Sequence, residues 1–176
     1  MELLLDRVAS PIGMMLIVSD CELLRALEFA DYEERMRRLL RIHVGKFTMK
    51  ESRNPAGLSD RIRAYFGGDL TAIDDIAVET GGTPFQREVW TALRRIPVGS
   101  TTTYAELAKT IGRPSAVRAV GMANGSNPIP IVVPCHRVIG SNGSFTGYGG
   151  GLARKRWLLA HEGAMPAERE LPAKRI

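Results

Sequence analysis

The sequence predicts an α+β protein, with a small N-terminal lobe built on an antiparallel sheet and a mostly helical C-terminal lobe containing a helix-turn-helix. Three observations predict it. The first 30 residues fall into short apolar runs separated by turn residues. From residue 83 onward, apolar positions recur at helical spacing behind cap residues. Between the two patterns stands Gly81-Gly82, a junction that divides the chain into lobes 1–81 and 82–163, with 164–176 as a flexible tail. A length of 176 residues suits one domain or two small ones sharing an interface, and 44% hydrophobic residues suffice for a core.

Each element has a local signal. Leu3–Val8, Met14–Ser19 and Leu23–Phe29 are the strand runs. Ser10-Pro11-Ile12-Gly13 and Ser19-Asp20 connect them with turns short enough for an antiparallel meander. Asp31-x-x-Glu34 has the form of a capping box and precedes an apolar stripe of Met36, Leu39 and Leu40. A second helix is predicted from Ser59 through Phe66, stopping at Gly67-Gly68.

In the second half, Thr83-Pro84-Phe85-Gln86 offers a threonine cap, a proline at the first helical position and a glutamine able to close the box. Phe85, Val89 and Ile96 face a core, and Pro97-Val98-Gly99 ends that helix. Thr103-x-x-Glu106 starts another, with Leu107 on its apolar side, and Gly112 and Pro114 break it. A third helix runs from about Ser115 to Asn124, ended by Gly125 and Pro128. Two short helices joined by a glycine-containing turn make the helix-turn-helix pattern, which ordinary helical hairpins share. At about 3.6 residues per turn, Ala116, Ala119, Val120 and Ala123 lie on one side, and Arg118 lies roughly opposite, beside Gly121 and Met122. A last helix runs from Leu152 to Glu162, carries Arg154, Lys155 and Arg156, and is closed by Gly163.

Charge is divided unevenly. Residues 1–81 hold 11 Lys/Arg against 14 Asp/Glu, whereas residues 82–163 hold 10 against 3. The basic second lobe points to a polyanion, nucleic acid first, with a solvated basic surface as the plain alternative. No apolar run approaches the roughly 20 residues of a membrane helix, and MELLLDRVAS lacks a basic leader region. A soluble cytoplasmic protein is the expectation. The two cysteines, Cys21 and Cys135, read as reduced thiols rather than a disulfide. Cys21 and His43 lack companions at metal-ligand spacing, so no metal and no cofactor are expected.

The chemistry concentrates in Ile129–Ile139, an apolar stretch with Pro134-Cys135-His136-Arg137 in its middle. A cysteine in such a run is commonly a core residue. Here a base and a cation follow it directly, and both can favour the nucleophilic thiolate. Beyond the Ser141-Asn142-Gly143 turn comes Thr146-Gly147-Tyr148-Gly149-Gly150-Gly151. The phosphate-loop motifs are absent, so this loop fits contact with a flat heterocycle covered by Tyr148 better than a nucleoside triphosphate. Glu162 stands at a helix C-terminus, where an acid opposes the dipole, and is expected either to be solvated or to be held by a partner such as His136.

Together these residues resemble the O6-alkylguanine-DNA alkyltransferase family in its bacterial form. The Pro-Cys-His-Arg-Val segment at 134–138 is the family signature. Arg118-Ala119-Val120-Gly121, Asn127-Pro128, Tyr104, the glycine-tyrosine loop and His161-Glu162-Gly163 fall in the family's order. The likeness is strong over 82–163 and looser over 1–81. It implies irreversible, stoichiometric transfer of an alkyl group from O6-alkylguanine in DNA to Cys135, with O4-alkylthymine as a second candidate substrate. His136 would take the thiol proton through a water, Glu162 would orient the histidine, and Asn127 would brace the cysteine segment. Tyr104 would assist the leaving guanine and crowd the DNA backbone. Arg118 would fill the gap left by the extruded nucleotide, while Ala119 and Gly121 let the helix enter the minor groove. Val138, Tyr148 and Gly149 would line the guanine pocket. Some relatives carry serine at the position of Gly149, so a wider alkyl pocket is an expectation. The protein would bind duplex DNA as a monomer, with cooperative binding open and no membrane contact.

Three other readings compete. A non-catalytic sensor of alkylated DNA would not need Cys135. A plain DNA-binding regulator leaves the thiol and the glycine loop without a role. A cysteine hydrolase would show a signature around its nucleophile that is missing here.

Overall fold

The computed structural model describes residues 1–145 and 147–165. Thr146 of the glycine-tyrosine loop, and the predicted tail from residue 166 onward, lie outside the described residues.

The N-terminal half is a sheet with helices on it. Strands β1 (Glu2–Ser10), β2 (Gly13–Ser19) and β3 (Leu24–Phe29) form the predicted antiparallel meander. Ser10 closes the first turn, its hydroxyl donating to the Gly13 carbonyl at 2.6 Å. Helix α1 (Glu33–His43) follows, then strand β4 (Thr48–Glu51) and helix α2 (Leu58–Phe66). The sheet order is β3-β2-β1-β4, and β4 runs parallel to β1. The sheet is therefore mixed rather than purely antiparallel. Thr48–Glu51 is a largely exposed edge strand, so it lacks the alternation that identifies a half-buried strand. The predicted Asp31-x-x-Glu34 box does not form: no side chain caps α1. Asp31 sits in a short 3-10 turn, and its carboxylate accepts from Arg154 at 2.9 Å.

The second half is helical, as predicted. Helix α3 (Pro84–Leu93) opens on a complete capping box: Thr83 Oγ1 accepts from Gln86 N–H, and Gln86 Oε1 accepts from Thr83 N–H. It ends before Ile96, one turn earlier than the apolar spacing predicts. Strand β5 (Thr102–Thr103) leads into α4 (Tyr104–Thr110), capped by Thr103. Gly112, with a φ of 73°, makes the turn to α5 (Val117–Gly125). Strand β6 (Val138–Ile139) pairs in parallel with β5, and α6 (Leu152–His161) completes the order.

One core joins the two halves. Ile17, Leu27, Phe29, Ile62 and Tyr65 pack in the same buried cluster as Trp90, Val120, Val133 and Cys135. Backbone bonds cross as well: Leu27 N–H donates to the Pro128 carbonyl at 3.2 Å. A smaller cluster, including Leu3, Leu5, Leu16 and Met36, lies between the sheet and α1. Gly81 and Gly82 both have positive φ, and a Cβ on either would collide with His43 or Trp90. The link must therefore be glycine because two packed side chains press on it.

Candidate active site

The cysteine segment has almost no regular structure, yet every residue from Asn127 to Val138 is buried. Its backbone groups must find partners elsewhere. Asn127 provides two: its Nδ2 donates to the Val133 carbonyl at 2.8 Å, and its Oδ1 accepts from Ile129 N–H at 2.9 Å. Further bonds run from Val133 N–H to Ile129 O and from Cys135 N–H to Val133 O. Ile131 is held at a φ of 77°, an unfavourable conformation for a β-branched residue. Such strain persists only where the surroundings enforce it. Asn127 therefore clamps the segment, and Cys135 emerges at the start of a 3-10 turn covering Cys135–Arg137.

His136 and Glu162 meet, so of the two readings of the acid at the end of α6 the partnered one holds. His136 Nε2 lies 2.9 Å from Glu162 Oε1. Arg137 also donates to this carboxylate, through Nε to Oε2 and Nη2 to Oε1, both at 2.9 Å. Tyr65, from α2, donates its hydroxyl to Oε1 at 2.8 Å. Burial alone would raise the Glu162 carboxyl, but the bonds from His136 and Arg137 outweigh it and hold the group well below the usual carboxylate range. An ionised carboxylate only accepts, so His136 must carry its proton on Nε2. The lone pair is left on Nδ1, a buried atom without a protein partner among the described residues. Burial keeps the His136 pKa below its ordinary value. His136 is thus a neutral, oriented base with its basic nitrogen available.

The expected role of Arg137 beside the thiol is not what the geometry shows. Its guanidinium is spent on Glu162 and on the Ile96 carbonyl at 2.7 Å. The positive charges acting on Cys135 are Arg35 and Lys155. Burial pushes the thiol up; a hydrogen bond with Asn127 and those two cations oppose the rise without cancelling it. Cys135 therefore rests as a thiol and needs a base to ionise.

Lys155 is fully buried although it sits between two other basic residues in sequence. Its ammonium donates to the Val138 carbonyl at 2.6 Å. Arg35, from α1, bonds Glu28 at 2.6 Å, the Gly125 carbonyl at 2.7 Å and the Asn127 carbonyl at 3.2 Å. It ties the N-terminal half to the turn that follows α5.

A narrow, nearly filled cleft lies at Cys135, walled by Glu28, Arg35, Asn124, Asn127, Tyr148 and Gly149. Tyr148 is buried, with its hydroxyl unpartnered among the described residues. A Cβ on Gly150 would lie 2.8 Å from both the Tyr148 and Phe29 rings, so only glycine fits there. Gly149 is exposed, and the nearest atoms to a Cβ there would be those of the Arg35 guanidinium, at 3.8 Å. Tyr104 lies between the glycine loop and α5: its hydroxyl is 3.7 Å from where a Cβ on Gly147 would sit, and its ring is 3.9 Å from where one on Gly121 would. On α5, Arg118, Ala119 and Met122 are exposed, while Val120 and Ala123 are buried. Ala119 is thus exposed like Arg118, although helix phase groups it with the buried Val120 and Ala123. Cys21 is exposed and free, and among the described residues no group of three or more His, Cys, Asp or Glu could hold a metal.

Glu28, Arg35, Tyr65, Asn124 and Lys155 carry no sequence signal, because each reaches the site from an element remote from Cys135 in the chain or from a helix face that reads as ordinary.

Comparison with known proteins adds a frame. A family model described as the DNA-binding domain of 6-O-methylguanine DNA methyltransferase matches residues 84–164. A methylated-DNA–protein-cysteine methyltransferase of Shigella flexneri is 55% identical over 166 residues, 93% of this chain and 97% of its own. One from Methanosarcina acetivorans is 45% identical over 88% of this chain and 95% of its own. The crystal structure of Mycobacterium tuberculosis OGT in complex with DNA superposes with a TM-score of 0.78 at 40% identity, covering 93% of this chain and 94% of that one.

Proposed function

This chain belongs to the methylated-DNA–protein-cysteine methyltransferase family, and on that premise we propose that Cys135 is the residue that takes the alkyl group. The reaction is direct-reversal DNA repair, in which an alkyl group leaves the O6 atom of guanine in DNA for a protein cysteine.

The observation that carries the assignment is the buried pairing of Glu162 with His136, which directly follows Cys135 in the chain. His136 offers a neutral Nδ1 without a protein partner among the described residues, and it follows directly on a thiol that burial keeps protonated. Nδ1 takes the thiol proton through a bridging water. The imidazolium that forms is stabilised at Nε2–H by the Glu162 carboxylate, which is already ionised. The sulfur then attacks the alkyl carbon in line: an S–C bond forms, the C–O6 bond breaks, and its electron pair leaves with the guanine. Tyr104, between the glycine loop and α5, donates to the departing base. The thioether is not cleaved, so each molecule repairs one lesion.

The lesion carbon cannot be reached inside a stacked duplex, so the nucleotide must rotate out, at a few kcal/mol of unstacking. Exposed Arg118 fills the space left behind. Ala119 and Gly121 keep that part of α5 small enough to enter the minor groove. Phosphate contacts from the basic second lobe supply affinity without sequence readout.

Mass spectrometry after exposure to excess O6-methylguanine duplex tests the proposal. One methyl on Cys135 per protein chain is expected. Cys135→Ser should abolish transfer yet retain DNA binding. An unmodified Cys135 in wild type would overturn the assignment.

A further inference from the structure

Tyr65 brings the N-terminal half to the His136–Glu162 pair. It lies in α2, is wholly buried, and stands 97 positions from Glu162 in the chain. Its hydroxyl donates to Glu162 Oε1 at 2.8 Å. That oxygen also accepts from His136 Nε2 and Arg137 Nη2, each at 2.9 Å, whereas Oε2 accepts from Arg137 Nε. The end of α6 grips Tyr65 from a second side. His161 Nε2 donates to the Tyr65 carbonyl at 2.7 Å, and the His161 and Phe66 rings stand edge-on to the phenol ring at 5.2 and 5.3 Å. A phenylalanine would fill the same space, so packing does not call for the hydroxyl. Nor is the hydroxyl needed to keep Glu162 ionised, because Arg137 already makes two bonds to the carboxylate.

What the hydroxyl changes is the oxygen that faces the base. Burial and the adjacent carboxylate push the phenol far above its ordinary range, so it donates at every pH at which the protein folds. A donor on Oε1 draws off part of the charge that would otherwise stabilise imidazolium at Nε2. It also fixes where that oxygen lies, as a supporting side chain does for a reactive one. The other charged groups acting on His136 are Arg137, beside it in the chain, and Lys155 from α6, and both disfavour imidazolium. We propose that Tyr65 is a positioning residue whose hydroxyl fixes Glu162 Oε1 against His136 and limits the charge that oxygen presents, so that the N-terminal half sets the strength of the base. This rests on the reading of His136 as the base that takes the Cys135 proton.

Tyr65→Phe removes the hydroxyl and keeps the ring. Transfer from O6-methylguanine duplex to Cys135 is timed against pH for wild type and variant, below the unfolding temperature of each. The acid limb of the profile reports the loss of neutral His136. In the variant it should move to higher pH by about half a unit, a slowing of about threefold on that limb. Affinity for the duplex should not change, because Tyr65 is wholly buried. A limb that stays in place, whatever happens to stability, reduces Tyr65 to a structural role and overturns the inference. Wild type gives a second reading if the variant does not fold. The Tyr65 hydroxyl proton, followed by NMR, should shift as His136 titrates, and a fixed resonance overturns the inference equally. A wild-type profile with no acid limb overturns the assignment of His136 as the base, and this inference falls with it.

Discussion

Two stretches of the second half are built in opposite ways. Helices α3 to α5 are specified locally. Thr83 and Thr103 cap the residues that follow them, and Gly112 turns the chain at a positive φ. The segment from Asn127 to Val138 has little local order to rely on. It is held by Asn127 within it and by side chains from elsewhere: Lys155 from α6, Arg35 from α1, and Tyr65 and Glu162 at the histidine. The capped helical unit can thus form by propensity and capping, whereas the cysteine segment takes its shape only once both halves have packed. Damage to a local signal should cost stability alone; damage to a remote tie should cost chemistry as well.

The largest expected effect is at Glu162. Glu162→Gln leaves the buried Arg137 guanidinium without its counter-charge, which typically destabilises by about 3–5 kcal/mol. It also removes the charge that stabilises imidazolium at His136, and alkyl transfer near neutral pH should slow by about a hundredfold or more. Wild type should show the matching pH dependence. The folded pKa of His136 is lowered, so its contribution to stability is complete above the unfolded value of about 6.5 and erodes as pH falls below it. The folded pKa of Glu162 is also lowered, so its contribution is complete above about 4.3 and is lost on further acidification. Thermal unfolding followed from pH 8 down to about pH 2 checks both signs. A flat profile between pH 7 and 5 would remove the neutral histidine, and the base with it.

The same contrast explains what the sequence reveals. Capped helices, the strand meander and the Cys135-His136 pair are readable because their signals are contiguous. Even Glu162 was recognisable, as an acid where the α6 dipole disfavours one. Strand β4 was not, because it pairs with a strand more than 40 residues earlier and is too exposed to alternate. Asp31 and Glu34 have capping-box spacing, but tertiary pairing with Arg154 takes Asp31 away. Lys155 sits in a run of three cations that reads as a solvated face, yet it is wholly buried. Arg137 looks like a partner of the adjacent thiol, and only the fold shows that it belongs to Glu162.

Arg118 sharpens the comparison from the other side, because it is exposed on the locally built unit. Arg118→Ala should leave stability within about 0.5 kcal/mol of wild type. It should slow repair of duplex lesions by about tenfold, the equivalent of ~1.4 kcal/mol, and should hardly change the reaction with free O6-benzylguanine. Equal losses on duplex and free base would mean that Arg118 shapes the pocket rather than the DNA.

The smallest effect, and the cleanest test of the contrast, is at Thr83. Thr83→Ala removes the cap on Gln86 N–H and should cost about 1 kcal/mol. For a chain of this size that corresponds to a fall in unfolding temperature of roughly 2–4 °C. Alkyl transfer at a temperature where the variant is fully folded should stay within about twofold of wild type, because the cap touches nothing in the cleft. The one route to a larger effect is Gln86, whose Nε2 also donates to Ser126 Oγ just before the clamped segment. If Thr83→Ala slows transfer while Gln86→Glu, which keeps the box acceptor but not the amide donor, slows it equally, then the local unit and the reactive one are coupled through Ser126. Their separation by origin would then fail.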